Sequence, residues 1–217
     1  AFERGKGWRI LSNQGVFLGE ESVEGKIAML FPGQGTQYTG MLSELKERYP
    51  VVQQTFDEAD EIMKPVLGRP LTDFIFPEQR GIDPEEARDA LKQTENTQPA
   101  VLTVDTALMR LLAEFGVEPD MVAGHSLGEY GACVAAGVMG FPDALRTVAQ
   151  RGTQMAQASP MNGDNGLMAS IPTDVEAVEK VLDQVDGYVV CANKNCPRQT
   201  IIAGLTEPVE QDRKSVV

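Results

Sequence analysis

Residues 121–130 read Met-Val-Ala-Gly-His-Ser-Leu-Gly-Glu-Tyr, and this stretch decides how the chain around it folds. An apolar run ends in the turn Gly124-His125-Ser126-Leu127-Gly128, and a segment of small residues follows the turn. The pattern G-x-S-x-G between a strand and a helix predicts a nucleophile elbow, a sharp turn that exposes its serine at the start of the helix. Glycine is expected on both sides of the serine because the folded-back chain leaves no room for other side chains.

A serine in this position is placed to attack a carbonyl carbon, so Ser126 is the candidate nucleophile. Unpaired backbone N–H groups and the positive end of the helix dipole meet at a helix N-terminus. The N–H of Leu127 is therefore the candidate donor to the oxyanion that such an attack creates. The alternative is a loop serine between chance glycines, which the flanking strand and helix disfavour.

The bulk composition excludes several classes of protein. The chain has 217 residues, enough for one substantial core with or without a small appendage, and its net charge is −13. An acidic surface argues against a nucleic acid or an anionic membrane as the partner. No apolar run approaches membrane-spanning length and the first residues lack a secretory leader pattern, so we predict a cytoplasmic protein.

Cysteine and histidine usage bears on redox state and metal binding. The three cysteines, Cys133, Cys191 and Cys196, form no paired framework and are predicted to be reduced thiols. The single histidine is His125, so no histidine accompanies Cys191 and Cys196, and we predict that the chain has no metal site.

A second candidate loop lies well upstream of the elbow. Residues 26–31 form an apolar run that predicts a buried strand, and the loop Pro32-Gly33-Gln34-Gly35-Thr36-Gln37 follows it. The loop lacks the third glycine of the dinucleotide fingerprint and the Gly-Lys-Ser/Thr of a phosphate loop, so both kinds of nucleotide site are excluded. Its glycines predict that the backbone approaches another group closely, with Gln34 between them.

Helical signals fill the sequence between the two loops. Apolar residues from Val52 to Met63 would lie on one face of a helix, and this helix is predicted to end before Pro65. Asp83 and Pro84 predict a capped helix start, and residues 101–115 carry a strong helical stripe. Strand, helices and strand together predict an α/β unit.

The pattern changes at residues 159–166, which predict a turn-rich hinge. A β-α-β-β order follows, over residues 167–171, 175–185, 188–192 and 200–203. This order begins a split βαβ unit of the ferredoxin-like kind, which another helix and strand would have to close. Residues 207–217 read as polar and unpatterned.

Three motifs then combine: residues 31–37 (FPGQGTQ), residues 124–129 (GHSLGE) and the pair Arg151-Gly152. Together they resemble the malonyl-CoA:acyl-carrier-protein transacylase family, which includes acyltransferase domains of fatty-acid, polyketide and polyunsaturated-fatty-acid synthases. Residues 97–100 (TQPA) and 201–204 (IIAG) match further family positions.

The resemblance implies an α/β fold, with a hydrolase-like parallel-sheet body and an inserted ferredoxin-like small subdomain that is incomplete in this chain. We therefore expect a linker or inter-domain strap over residues 1–25, the N-terminal part of the acyltransferase body over residues 26–160, and the start of the small subdomain over residues 161–217.

The resemblance also implies roles. Ser126 would carry the acyl group, Gln34 and the N–H of Leu127 would form the oxyanion hole, and Arg151 would pair with the free carboxylate of a malonyl-type unit. A guanidinium suits that task because its planar fork binds a carboxylate through two hydrogen bonds. The alternatives are a solvated Arg151 and a turn role for Gln34, while Gln98 either supports the site or caps a helix start.

The implied activity is transfer of a malonyl-type group from CoA to the phosphopantetheine arm of an acyl carrier protein, in fatty-acid or polyketide biosynthesis, with no permanently bound cofactor. Other synthase domains would be further partners. Family members pair the serine with a histidine from a later motif, and His125 is not expected to replace it, so impaired turnover is predicted. Two alternatives stay open: an α/β-hydrolase esterase and a catalytically incomplete structural piece of a multienzyme.

Overall fold

The computed structural model describes residue 11, residues 13–15, residues 25–158, residue 164 and residues 166–215, with side chains described up to residue 210. The chain divides into two compact units, residues 1–153 and residues 154–217. Most of the predicted linker over residues 1–25, and the predicted boundary after residue 160, lie outside the described residues.

The described part of the first unit alternates two strands with helices, as the sequence predicts. In chain order the elements are β1 (Ala28–Phe31), α1 (Ser43–Arg48), α2 (Pro50–Leu67), α3 (Thr72–Ile75), a 3-10 turn (Pro77–Arg80), α4 (Pro84–Lys92), α5 (Thr94–Glu114), β2 (Met121–Gly124), α6 (Gly128–Ala135) and α7 (Phe141–Gln157), whose last turn crosses the division.

Strands β1 and β2 pair in parallel, with Ala28 opposite Met121 and Phe31 opposite Gly124. A parallel pair needs a long crossover, which helices α1 to α5 supply. Both strands therefore end at the same edge of the sheet. The loop that begins at Pro32 and the elbow that follows Gly124 emerge there side by side.

The prediction of a buried first strand is wrong for most of β1. Phe31 is buried, but Leu30 is 77% exposed, and Met121 on the neighbouring strand is also exposed. Among the described residues this sheet has two strands, so each of them is an edge strand.

The helix starts and stops follow local chemistry. Asp83 caps α4 by accepting hydrogen bonds from the N–H groups of Glu85 (2.8 Å) and Glu86 (3.3 Å), which confirms the predicted start. The predicted stop before Pro65 is wrong, because α2 continues to Leu67 and ends where Gly68 adopts a left-handed φ of 76°. A proline in the last turn removes a single backbone hydrogen bond, and the Gly68 N–H closes the helix on the carbonyl of Lys64.

The core of the first unit lies among the helices. Its largest fully buried apolar side chains come from α2, α3, α4, α5 and α7 and the segments beside the helices: Val52, Phe56, Met63, Leu71, Ile75, Leu91, Leu102, Leu127 and Leu145. The stripe over residues 101–115 is buried at Val101 and Leu111 but exposed at Phe115. The core therefore fixes α5 and α7, the two helices that carry site residues.

Helices α5 and α7 approach closely at Gly152. A Cβ at this position would lie 2.7 Å from the Cα of Glu95 and 2.8 Å from the carbonyl oxygen of Thr94. Both neighbours are backbone atoms of the first turn of α5, so they cannot rotate away. Absence of a side chain at residue 152 therefore sets the spacing between the two helices.

Asp105 is an acidic side chain in an apolar setting. It lies on α5, is only 8% exposed, and borders a cavity of about 380 Å³ whose other walls include Leu30, Val104 and Leu108. Burial raises the pKa of Asp105 from 3.8 to about 7, because a carboxylate is poorly solvated there.

The second unit contains β3 (Leu167–Ile171), α8 (Val175–Leu182), β4 (Val189–Cys196), β5 (Gln199–Gly204) and α9 (Thr206–Ser215). Strand β5 lies between β3 and β4 and is antiparallel to both. The outer strands are thus parallel and are joined through α8, which is the split βαβ arrangement the sequence predicts. Ile171, Val178, Ile202 and Val209 form the buried core.

The description of residues 207–217 as unpatterned is wrong, because α9 runs through most of them. Its first residue is held by Asp164, whose carboxylate accepts hydrogen bonds from the Thr206 N–H (2.7 Å) and hydroxyl (2.6 Å). These bonds lower the pKa of Asp164. Val209 is fully buried. The buried Val209 and the Asp164 cap therefore hold α9 in place, although its sequence has no repeating apolar stripe.

We predict that Gly152→Ala destabilises the fold. The new methyl group would force α5 and α7 apart, and overpacking of this kind costs about 1–3 kcal/mol. Urea unfolding followed by circular dichroism measures the loss. Gly25→Ala is the matched control, because a Cβ there meets nothing within 4 Å. A Gly152→Ala protein as stable as the Gly25→Ala protein would contradict the packing argument.

We predict that Asp105 makes stability fall as the pH rises. Unfolded Asp105 releases its proton near its ordinary pKa of 3.8, whereas folded Asp105 keeps it up to about pH 7. Protonated Asp105 therefore favours the folded state at low pH, and this contribution is lost between those two values at up to about 1.4 kcal/mol per pH unit.

The measurement is urea unfolding at several pH values for the wild type and for Asp105→Asn, which stays neutral throughout. Between pH 5 and pH 8 the free energy of unfolding of the wild type should fall relative to that of Asp105→Asn. A difference independent of pH would contradict a raised pKa at Asp105.

Candidate active site

The elbow is built as the sequence predicts, and the structure shows why both glycines are needed. A Cβ at Gly124 would overlap the carbonyl group of Gly128, and a Cβ at Gly128 would overlap the carbonyl group of Phe31 on β1. The second contact joins the first residue of α6 to the last residue of β1, so it brings the elbow directly against β1. Any side chain at residue 128 would push the turn off the sheet.

Ser126 is held in a strained conformation at the tip of this turn. Its φ is 54°, in the left-handed region, which serine rarely adopts and which costs on the order of 1 kcal/mol. The N–H groups of Gly128 and Glu129 donate to the carbonyls of His125 and Ser126 at 3.0 and 3.1 Å and close the turn. The result is an exposed serine directly before the first turn of α6.

The N–H of Leu127 opens the N-terminal end of α6, and the side chain of Leu127 is buried at 1% exposure. The buried Leu127 side chain anchors the turn in the core. The backbone N–H of Leu127 lies at the N-terminus of α6, where the helix dipole is positive. The oxyanion role that the resemblance implies for this N–H stays a prediction.

The loop after β1 packs against the elbow through Gly33. A Cβ at Gly33 would lie 3.0 Å from the carbonyl oxygen of His125 and 3.3 Å from its Nδ1. The His125 ring therefore lies on the side of this loop, and the His125 N–H donates to the carbonyl of Phe31 at 3.2 Å. The two predicted loops form one site.

Gln34 follows directly, and its side chain is fixed by a residue that sequence reasoning missed. The hydroxyl of Thr94, the first residue of α5, donates to Gln34 Oε1 at 3.1 Å. Thr94 belongs to no recognised motif and stands 60 residues from Gln34, so no pattern in the sequence linked the two.

Arg151 reaches Ser126 from α7. Its Nη2 donates to Ser126 Oγ at 3.4 Å and its Nη1 donates to Gln98 Oε1 at 2.7 Å. Arg151 is half-buried, so it is not the solvated arginine of the alternative reading. The close packing at Gly152, the next residue, brings α7 near enough to α5 for the contact with Gln98.

Gln98 does not cap a helix start, because α5 begins four residues earlier at Thr94 and contains Pro99 within it. Gln98 is fully buried, and its Nε2 donates to Thr94 Oγ1 at 2.9 Å. Four side chains, Gln34, Thr94, Gln98 and Arg151, therefore form an unbroken row of hydrogen bonds that ends at Ser126.

No group of three or more histidine, cysteine, aspartate or glutamate side chains in the described part of the chain could hold a metal ion. No helix among the described residues is long and apolar enough to cross a membrane.

Comparison with known proteins places this site in a family. The family model described as "Acyl transferase domain" matches residues 28–215. A malonyl CoA-acyl carrier protein transacylase of Bacillus subtilis is 45% identical over 188 residues, which are 85% of this chain and 55% of that protein.

Solved structures agree. The malonyl-CoA transacylase of Streptococcus pneumoniae superposes with a TM-score of 0.74 at 42% identity, over 87% of this chain and 58% of that one. A malonyl-transacylase in complex with a type II polyketide synthase acyl-carrier protein superposes with a TM-score of 0.75 at 38% identity, over 88% and 59%.

These matches confirm the predicted family and the α/β fold class. The chain spans a little over half the length of the relatives it matches. With the elbow, the glutamine loop and the arginine brought together in one unit, and with the family model covering most of its length, the chain belongs to the acyl transferase domain family.

Proposed function

We propose that this chain carries the acylation step of malonyl transfer from CoA to the phosphopantetheine arm of an acyl carrier protein. Ser126 Oγ attacks the thioester carbonyl, its proton passes to a base, and collapse of the tetrahedral intermediate breaks the C–S bond. CoA leaves as a thiolate that takes up a proton. The carrier thiol then attacks the malonyl-serine ester in the same way and restores Ser126.

The observation that carries this proposal is the position of Arg151. A permanently charged fork lies 3.4 Å from the nucleophile and is anchored from behind by Gln98 at 2.7 Å. A substrate whose carbonyl lies at Ser126 and whose other end is a carboxylate would meet both groups at once. Malonyl thioesters have this form, and simple acyl thioesters do not.

The oxyanion donors in this proposal are Gln34 and the backbone N–H of Leu127. Donors fixed before reaction stabilise the developing charge without reorganising, and removal of one typically costs about 10²–10³ in rate. Gln34 is held by Thr94, and Leu127 is anchored in the core, so both meet this condition.

The chemistry requires no resident cofactor, because nucleophile, donors and cation all come from the chain. We place it in the cytoplasm, in fatty-acid or polyketide biosynthesis, with an acyl carrier protein and other synthase domains as partners. The supporting observation is the identity of the relatives, which include a transacylase solved with its carrier.

The attack on the thioester also requires a base that accepts the proton of Ser126. The sequence has one histidine, His125, and its Nδ1 lies toward Gly33 on the neighbouring loop. A serine needs a base within hydrogen-bond reach for efficient attack. We therefore predict that the 217-residue chain forms an acyl-serine but turns over slowly.

Two other functions were weighed. An esterase of the α/β-hydrolase class shares the elbow, but a carboxylate-binding arginine beside its serine has no task there, and the matched family disfavours it. A purely structural piece would have no reason to hold Ser126 in a left-handed conformation beside the half-buried Arg151, which the buried Gln98 anchors.

We predict that incubation with malonyl-CoA adds a malonyl group to Ser126. Intact-mass measurement would show the adduct on the wild type and none on Ser126→Ala. Wild-type protein that stays unmodified at high malonyl-CoA would contradict the proposed acylation. Equal labelling of the variant would show that another residue is the nucleophile.

We predict that Arg151→Ala loses the preference for malonyl-CoA. A charge-assisted pair of this kind contributes about 1.5–3 kcal/mol, so acylation by malonyl-CoA should slow by about 10–100-fold. Acylation by acetyl-CoA, which has no carboxylate, should slow much less.

Arg146→Ala is the matched control for this substitution. Arg146 lies on the same helix, is exposed, and contacts Asp143 at 3.3 Å. It should leave both rates unchanged. Equal losses for malonyl-CoA and acetyl-CoA in Arg151→Ala would rule out a carboxylate-binding role.

A further inference from the structure

Asp105 is a buried carboxyl group that the described part of the chain leaves without a hydrogen bond or an ion pair. It is 8% exposed, and burial is the one cause of its raised pKa, with no contribution from a neighbouring charge or donor. By contrast, the carboxylate of Asp60 accepts hydrogen bonds from the N–H and the hydroxyl of Thr72. Buried polar groups in proteins are nearly always paired, so a buried carboxyl without a partner calls for a functional explanation.

The cavity that Asp105 borders is apolar and reaches the surface. Its volume is about 380 Å³. Buried side chains form its inner walls: Phe31, Met41 and Val101. Exposed side chains form its rim: Leu30, Tyr38 and Leu112. Among the described residues that line it, Tyr38 is the one ionisable side chain besides Asp105, and none is a cation.

A partner for the carboxyl group can come only from the cavity. On the side of α6 the nearest residue is Gly131, where a Cβ would lie 3.4 Å from Asp105 Oδ2 and 2.8 Å from Cδ1 of Phe31. Gly131 has no side chain to offer, and the space beside it is filled. The open volume next to Asp105 is therefore the cavity between β1 and α5.

The walls and the carboxyl group together specify the chemistry of a ligand. Apolar walls bury hydrocarbon, which contributes roughly 25 cal/mol for each Å² removed from water. An ionised carboxylate that is poorly solvated gains most from a positively charged donor, because charge-assisted hydrogen bonds are the strong ones. The matching molecule carries an ammonium group on an apolar body.

We propose that this cavity, here called the Asp105 pocket, binds a small organic amine, with the ammonium group on the Asp105 carboxylate and the hydrocarbon body between β1 and α5. Small-molecule sites are typically apolar hollows with a few polar groups that fix orientation, and this pocket has that form. The inference does not depend on the proposed acyl transfer, because neither Ser126 nor Arg151 lines the pocket.

The first experiment compares two probes that differ in charge and little in shape. At pH 8 the protein is titrated with 4-phenylbutylamine and with 4-phenylbutan-1-ol, and binding is followed through the amide signals of ¹⁵N-labelled protein. The amine should bind at least about tenfold more tightly, because only the amine forms a charge-assisted pair. Equal affinities, or no saturable binding of the amine, would overturn the proposal.

The affinity for the amine should depend on pH with a definite sign. Asp105 in the empty pocket keeps its proton up to about pH 7, and an alkylamine stays charged well above that pH. Below pH 7 the carboxyl group must lose its proton before the amine pairs with it. The affinity should therefore rise about tenfold from pH 6 to pH 8, while that of the alcohol changes little. Tyr38→Phe should keep this rise, and an amine affinity independent of pH would contradict the pairing.

Three variants locate the site. Asp105→Asn should weaken amine binding by about tenfold or more and leave alcohol binding nearly unchanged. Asp89→Asn is the control: it changes the net charge by the same amount, at a side chain of α4 that is 68% exposed, and should change neither affinity. Leu108→Trp fills part of the cavity from α5 and should weaken binding of both probes. Equal amine affinities for Asp105→Asn and Asp89→Asn would mean general attraction to an acidic protein and overturn the proposal.

A second copy of the chain is the alternative occupant of the apolar rim, and sedimentation velocity at the titration concentration tests it. The protein should sediment as a monomer with and without the amine, which leaves the pocket open to a small ligand. A dimer that Leu108→Trp dissociates would assign the rim to a second copy and overturn the proposal. Circular dichroism of each variant ensures that lost binding does not come from lost folding.

Discussion

The rest of the site depends on the approach of one backbone segment to another: Gly128 against the carbonyl of Phe31. The contact leaves no space for a Cβ, so the elbow lies directly on the end of β1. Because β1 and β2 are parallel, the loop after Phe31 leaves the sheet at the same edge, and Gly33 can contact His125. A pair of strands thus brings together two loops that are distant in the sequence, and it does so without any side chain in between.

A second close backbone approach, at Gly152, brings helices α5 and α7 together. It brings α7 onto the first turn of α5, so that Arg151 reaches both the buried Gln98 and the exposed Ser126. The two glycine contacts are independent: one places Ser126 and the glutamine loop, and the other places Arg151. The polar row from Arg151 to Gln34 connects them, and its members come from α7, α5 and the loop after β1.

Local constraints could be read from the sequence, and tertiary ones could not. The elbow, the capped start at Asp83 and the β-α-β-β order are set by neighbouring residues, so their patterns were visible. Thr94 was missed because a hydroxyl at a helix start is common and its partner lies 60 residues away. Helix α9 was missed because one buried valine and a cap from Asp164 define it, and α2 passed Pro65 because Gly68 closes the helix beyond it. Arg151 and Gln34 came from the family resemblance rather than from periodicity.

The hydrogen bonds of Arg151 differ in strength in a way that suits the proposed reaction. Its contact with Gln98 is short, at 2.7 Å, whereas its contact with Ser126 Oγ is long, at 3.4 Å, and exposed. A substrate carboxylate would offer Nη2 a stronger, charge-assisted partner, so the serine contact is the one to be exchanged. The bond to Gln98 would remain, and with it the orientation of the whole row. Under the proposed function, Arg151 would therefore bind the substrate's carboxylate through Nη2 while its Nη1 stays on Gln98.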